Sequence, residues 1–418
     1  MNTKTDVVVI GAGSIGVNTA YFLSKRGRQV TLLDKDDVCM GSSWGNSGLI
    51  SPSRNLPLSS PGIISQGLRW MFDPRSPFYI KPRISLALWK WLWQFRAACT
   101  EEHQLYGGRA LRALTKKSIE LYNSFDDMGD LGFLLEKTGT LFLYATEDGY
   151  QHAARETELF RNLGHTVEDL DKAAVIEKLN GMETPAVAGK FFAGDAHLNP
   201  ADFVTGLARK ARYEGVEIET HTQVLGFTKS GHKVTGVQTN KGIINADEVV
   251  LAAGSWSTDI AANLGLNLPI QAAKGYSVSY EKPGNAPLIP IMLSEAKTAI
   301  TPMGEILRVG GTLELAGIDL SINQKRVNAL LQAAKSALPA INFDRLRIIK
   351  TWAGLRPTTP DGLPLLGRPK GFENLIIAAG NAMMGIATGP GTGLLAAQEI
   401  LGEQKYMDTT MFDPNRFK

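Results

Sequence analysis

The sequence predicts an α/β chain in which a doubly wound, Rossmann-type unit, assembled from discontinuous segments, is interleaved with an α+β unit. Three observations carry that expectation. A glycine-punctuated strand, turn, helix and strand open the chain, and two further strand-to-glycine turns lie near residues 250 and 380. The stretches between them mix helical and strand-like runs without internal repeats or low-complexity tracts. At 418 residues the chain exceeds one ordinary compact core, so two units are the expectation.

Residues Asp6 to Ile10 read as a buried parallel strand, about Ser14 to Arg26 as a helix, and VTLLD, ending at Asp34, as a second strand. Later, KVTGVQTNKG reads as a hairpin and DEVVLAAGSWS as a strand running into a glycine turn. NLIIAAGN is a strand, and TGPGTGLLAAQEIL a glycine-started helix. The Rossmann-type unit is therefore expected in residues 1–55, 195–265 and 350–418. Residues 56–194 and 266–349 supply the other unit, with helical LRALTKKSIELYNSF beside strand-like GTLFLYA and KGYSVSY.

Apolar content of 44%, charged content of 20% and a net charge of +3 fit a soluble globular protein and give no argument for nucleic acid. Cys39 and Cys99 lie far apart, with no CxxC and no histidine pair, so neither a disulfide framework nor a metal site is expected. The N-terminus enters a strand at once, which leaves no room for a signal peptide, and no run is apolar enough to span a bilayer. A cytoplasmic location follows as the expectation.

Gly11, Gly13 and Gly16 form GAGSIG directly between strand and helix, the context that gives this spacing meaning. Gly11 permits the tight turn, Gly13 lets backbone approach a pyrophosphate, and Gly16 allows close helix-to-strand packing. The helix start at Ser14 and Ile15 offers free N–H groups to phosphate. Asp34, 18 residues after Gly16 and followed by Lys35, places a carboxylate where ribose hydroxyls would donate to it. A dinucleotide is expected; the motif does not distinguish FAD from NAD.

Three further segments narrow this: GSSWGNSGLISP at 41–52, WAGLRPTTPDGLPLLG at 352–367 and AAGNAMMGIATGPGTG at 378–393. Together they resemble the D-amino acid oxidase (DAO) superfamily of FAD enzymes. With FDPRSPFYIKPRISLALWKWLWQF, they are most similar to its branch of bacterial D-amino acid dehydrogenases. The resemblance implies a glutathione-reductase-type FAD domain and a substrate domain whose mixed sheet covers the isoalloxazine. It implies that Ser42, Ser43, Asn46, Ser47 and Gly48 lie against flavin and pyrophosphate, that Val224 meets adenine through its backbone, and that Ala253 and Gly254 form a second dinucleotide turn. Gly385, Ile386 and the glycines of the following helix would face the flavin pyrimidine edge, where a helix N-terminus stabilises negative charge.

Arg356, in WAGLRP, would clamp a substrate carboxylate, a task a planar guanidinium does better than lysine; a surface salt bridge is the alternative. Tyr276 would be a second carboxylate contact or a lid, or else a buried strand tyrosine. His197, ahead of a helix capped by Asn199 with Pro200 at its first position, reads as structural. Several relatives carry His where this chain has Asn381, and covalent-flavin members carry a cysteine near the C-terminal motifs. Their absence implies non-covalent FAD.

The implied reaction is oxidative deamination of a small amino acid by hydride transfer from Cα to flavin, with quinone or oxygen as acceptor. The alternatives are oxidation of glycine, sarcosine or a secondary amine such as D-hydroxyproline, and a flavin subunit of a hetero-oligomeric opine-type dehydrogenase. Met383 and Met384 are candidates for an apolar wall. Trp70, Trp89, Trp91 and Trp93 among Lys81, Arg83 and Lys90 form an aromatic and basic stretch compatible with peripheral docking on the inner face of a membrane, or with ordinary burial.

Overall fold

The run Val7–Ile10 is apolar at every position, which suits a strand covered on both faces, and it forms the centre of the first sheet. In the computed structural model, which describes residues 3–53, 56–64 and 78–417, the strand Thr3–Ile10 lies parallel to Val30–Leu33 on one side and to Gly242–Leu251 on the other. The parallel set extends outward to Glu217–Glu219 and to Leu375–Ala379. A hairpin, Val224–Ser230 with Lys233–Thr239, joins the first half of Gly242–Leu251. Widely separated segments thus share one doubly wound sheet, as the sequence predicts.

The helices Ser14–Ser24 and Gly389–Leu401 pack against each other beside this sheet. Their approach explains the glycines of TGPGTG. A Cβ on Gly389 would fall on Ser14, one on Gly393 on Asn18, and one on Gly391 within 2.8 Å of Ser118 Oγ. These glycines let helices touch, so the expectation that they face the flavin needs correction.

The helix Glu101–Asp127, capped by Thr100, also belongs here. It buries Leu111, Leu114, Tyr122 and Phe125 among Val17, Phe203 and Leu395. This helix lies within the 56–194 segment expected to build the other unit, yet its apolar face completes the first core.

The second sheet runs in the order Ile348–Thr358, Gln271–Glu281, Ile306–Leu315, Thr298–Met303, Ile291–Leu293, Thr140–Tyr144, Ala188–Phe192 and Glu168–Asp171. The first of these corrects the expected boundary at residue 350: the strand carrying Arg356 pairs with Gln271–Glu281 in the second sheet. Side chains alternate between the two faces. One face packs Tyr276, Val278, Tyr280, Leu307 and Val309 against Val327, Leu330 and Ala334 of the helix Gln324–Ala337. The register places Arg356, Gly354, Trp352, Gly275, Ser277, Arg308 and Gly310 on the opposite face. That face meets the loop after Asp34 and looks toward the first sheet.

Candidate active site

The turn after the first strand has the conformation GAGSIG requires. Gly11 has φ +107°, and a Cβ there would meet the backbone of Ala252. Gly16 sits so close to Gly11 O that no side chain fits between helix and strand. The helix then starts at Ser14 after Gly13, which has no side chain to cap it, and the Ser14 N–H donates to Ser43 Oγ at 3.0 Å. Asp34 ends the second strand with Oδ2 accepting from Ala12 N–H at 2.7 Å and Oδ1 from Asp36 N–H at 2.9 Å. Burial raises its pKa while those two N–H groups lower it.

These groups border a cleft of about 300 Å³ at the carboxyl ends of the parallel strands, where ligands of open α/β sheets bind. Of the residues expected to hold the cofactor, Gly11, Gly13, Ser14, Ile15, Asp34 and Lys35 line one stretch of it. Ser42, Ser43, Val224, Ala253, Gly254 and Gly385 line the rest. Lys35 is committed to Asp36 and lies 4.8 Å from the Trp256 ring, at the exposed mouth. The cleft thus combines a helix start reached by the Ser43 hydroxyl, suited to phosphate, with a carboxylate that retains lone pairs for ribose hydroxyls, a donor set that fits FAD. Ser14 Oγ, buried without a protein partner, lies at the same helix start.

The other expected contacts do not line the cleft. Asn46 is a loop brace: its Nδ2 donates to Met383 O at 3.2 Å and its Oδ1 accepts from Gly48 N–H at 2.9 Å. Ser47 lies against Gly310, and Gly48, at φ +69°, against Leu198 O. Ile386 is buried in the first core, with its carbonyl accepting from Tyr122 Oη at 2.8 Å. Asn381, beside Gly380 in the cleft wall, is held by a determinate network. Thr388 and Thr392 each donate a hydroxyl to backbone oxygen, so both accept from Asn381 Nδ2 at 3.0 Å.

Arg356 lies over Gly275 on the second sheet, where any Cβ would strike the guanidinium. Its Nη1 donates to Thr312 O and its Nη2 to Gly311 O at 3.4 Å. A bulge aims those carbonyls: the pairing of Gln271–Glu281 with Ile306–Leu315 shifts register between Lys274 and Tyr276, and Thr312 adopts φ +62°. Among the described residues no carboxylate offsets the charge, and burial pushes the pKa down to about 10. The alternative of a surface salt bridge is therefore set aside.

Tyr276 does not join Arg356. It lies three register positions along the strand, hence on the opposite face, inside the core under the helix Gln324–Ala337. Its Oη donates to Glu314 Oε2 at 3.0 Å, and burial with that carboxylate raises its pKa. His197 is structural, as expected. It is fully buried, its Nε2 is 3.3 Å from Glu136 Oε1 without aligning a hydrogen bond, and burial pushes its pKa down to about 4. Met383 is exposed and Met384 packs on the first core. Sequence reasoning gave no role to Arg308, whose signal was a lone arginine in the apolar run ILRVGG.

The cleft and the arginine-bearing face of the second sheet define a dinucleotide-binding protein; Arg356 itself is not among the residues that line the cleft, whereas the adjacent Pro357 is. Residues 6–399 match the DAO family of FAD-dependent oxidoreductases, and the chain belongs to that family. D-amino acid dehydrogenase of Granulibacter bethesdensis is 34% identical over 412 residues, covering 96% of this chain and 97% of that protein. The D-amino acid dehydrogenase of Xanthobacter autotrophicus is 31% identical, with 98% and 99% covered. Glycine oxidase from Geobacillus kaustophilus shares the fold at a TM-score of 0.79 and 23% identity, covering 99% of each chain. The cofactor is accordingly FAD.

Proposed function

We propose that this chain oxidises the Cα–N bond of a small D-amino acid. FAD held along Gly11, Gly13, Asp34 and Ser43 would accept the Cα hydride, and water would hydrolyse the imino acid to a 2-oxo acid and ammonia. The observation that carries the reading is Arg356, a charged guanidinium held by backbone carbonyls with no counter-anion among the described residues. Such a group costs stability unless a ligand carboxylate uses it. The relatives named D-amino acid dehydrogenase support the substrate class and its handedness.

The bound flavin supplies a two-electron acceptor. What the chain supplies is orientation: Arg356 fixes the carboxylate, Gly275 and Gly354 make space on the sheet for the Arg356 guanidinium and the Trp352 ring, and the loop from Ser42 to Gly48 runs between the sheet and the cleft. The flavin is held non-covalently; Cys39 is buried with its Sγ against Pro200 O, and burial pushes its thiol up to about 12.

Electrons pass on to a quinone at a membrane surface. In support, the helix Leu86–Ala98 buries Leu88 and Trp91 but exposes Leu86, Trp89 and Trp93 beside Lys90 and Arg96, with Ile84 exposed just before it. Trp70 lies outside the described residues. Among those described, no helix is long and apolar enough to cross a membrane. Flotation with anionic liposomes, lost in a Trp89→Ser/Trp93→Ser variant, is the expected result; no flotation of the native protein removes this part.

The central experiment is anaerobic mixing of purified holoenzyme with D- and L-amino acids, glycine, sarcosine and proline derivatives. Bleaching of the flavin band, at roughly 450 nm, by D-amino acids but not their enantiomers is expected. Bleaching by none of the D-amino acids would overturn the reading.

A further inference from the structure

Arg308 is a second buried cation on the same sheet face as Arg356, and nothing in the reaction above uses it. It is 1% exposed, and among the described residues none of its hydrogen bonds goes to a carboxylate. Nη1 donates to Trp44 O and to Asn46 O, each at 2.8 Å, and Nε donates to Ser279 Oγ at 3.1 Å. The guanidinium also lies 4.9 Å from the Trp44 ring, which Lys350 approaches to 4.3 Å. One residue of the second sheet therefore holds two consecutive turns of the loop that runs alongside the cleft.

That loop touches every part of the site. Ser43 accepts from the first N–H of the helix at the cleft, and Asn46 reaches Met383 O in the C-terminal segment. Gly45 rests on the Trp352 ring, which itself lies over Gly354, two residues before Arg356 on the same face. Ser47 rests on Gly310, where an added Cβ would come within 2.9 Å of its Oγ. The cleft belongs to the first sheet and Arg356 to the second, so this loop is a mechanical tie between them.

We propose that Arg308 is a positioning residue: it fixes the loop Trp44–Asn46 onto the second sheet and so sets the distance between the cofactor cleft and the Arg356 anchor. A planar fork suits the task because both Nη1 hydrogens are spent on carbonyls two residues apart, which a lysine ammonium cannot reproduce in one plane. Hydride transfer depends steeply on donor-to-acceptor placement, and a 1 Å error costs on the order of a hundredfold in rate. The inference rests on FAD occupying the cleft and is independent of which amino acid is oxidised.

The test compares Arg308→Gln and Arg308→Lys with Lys274→Met, which removes a buried cation paired with Asp319 on the opposite face of the same sheet. Four quantities are read: melting temperature, FAD dissociation constant, protease cleavage between residues 41 and 48, and the anaerobic flavin-reduction rate against amino acid concentration. For R308Q the limiting reduction rate should fall roughly ten- to a hundredfold while the half-saturating concentration stays near the native value. Its FAD binding should weaken and its loop cleavage accelerate. R308K should be intermediate, and K274M should lose only melting temperature. R308Q matching K274M in all four readouts overturns the proposal, as does R308K reducing its flavin at the native rate, which carries the test if R308Q fails to fold. FAD affinity and loop cleavage require no substrate, so a chain inert toward amino acids would refute the proposed function and leave this inference standing.

Discussion

Replacing Arg356 with methionine should make the resting enzyme slightly more stable and nearly unable to bind its substrate. The stem keeps its volume while the charge disappears. Burial holds the guanidinium at about 10, well below its ordinary value, a charge-burial cost of at most roughly 3 kcal/mol. The side chain keeps some exposure, which makes that figure an upper bound. Losing the donors to Thr312 O and Gly311 O returns about 1 kcal/mol for each. The net gain is then about 1 kcal/mol. With unfolding entropy near 2.1 cal/mol/K per residue, that is an increase of about 1 °C in melting temperature for a chain of this length. On the substrate side, removing one partner of an enclosed charge pair costs about 2–5 kcal/mol, or roughly 30- to several-thousand-fold in kcat/KM. Differential scanning calorimetry of FAD-saturated protein and steady-state kinetics with a dye acceptor read both effects. A fall of several degrees with unchanged kcat/KM would refute the reasoning and make Arg356 a structural strut.

Asp195, buried beside Ser53, has its pKa raised by burial to about 6. A carboxyl whose folded value exceeds its unfolded value near 4 costs nothing below pH 4 and its full penalty above pH 6, so Asp195→Asn should stabilise by up to about 3 kcal/mol at pH 7 and by nothing near pH 4. Urea unfolding at the two pH values checks this; a pH-independent gain would contradict it. Gly16→Ala should yield protein without flavin colour, because a Cβ there meets Gly11 O; a yellow variant with native FAD affinity would remove the close-packing argument. Tyr276→Phe should leave KM unchanged and cost about 1–3 kcal/mol of stability, since Glu314 loses a buried donor. A raised KM there would return Tyr276 to the site.

The first sheet was legible because its signals are local: an apolar strand, a glycine turn whose φ +107° excludes side chains, and an acid at the next strand end. Asp34 and the glycine turn in the cleft follow from them, whereas Ser43 is placed only by the family resemblance of GSSWGNSGLISP. What sequence could not show is sidedness across strands. Tyr276 and Arg356 lie 80 positions apart in the chain, and only the strand register puts them on opposite faces. The boundary at 350 failed for the same reason, because nothing in IIKTWAGLRPT says which sheet it joins. The glycines of TGPGTG read as ligand contacts, yet glycine serves a helix crossing equally well, and three neighbours decide between the two. Ile386, expected at the flavin pyrimidine edge, is instead buried in the first core, where its carbonyl accepts from Tyr122 Oη.

The central claim is that an uncompensated guanidinium selects substrates by their carboxylate. It is tested most directly by pairing each D-amino acid that bleaches the flavin with the amine of the same side chain lacking the carboxyl group, in anaerobic mixing with the native holoenzyme. The acid should reduce the flavin and the amine should not, at concentrations a hundredfold above those that saturate the acid, on the order set by losing one charge-assisted pair. Equal reduction by both would contradict the account.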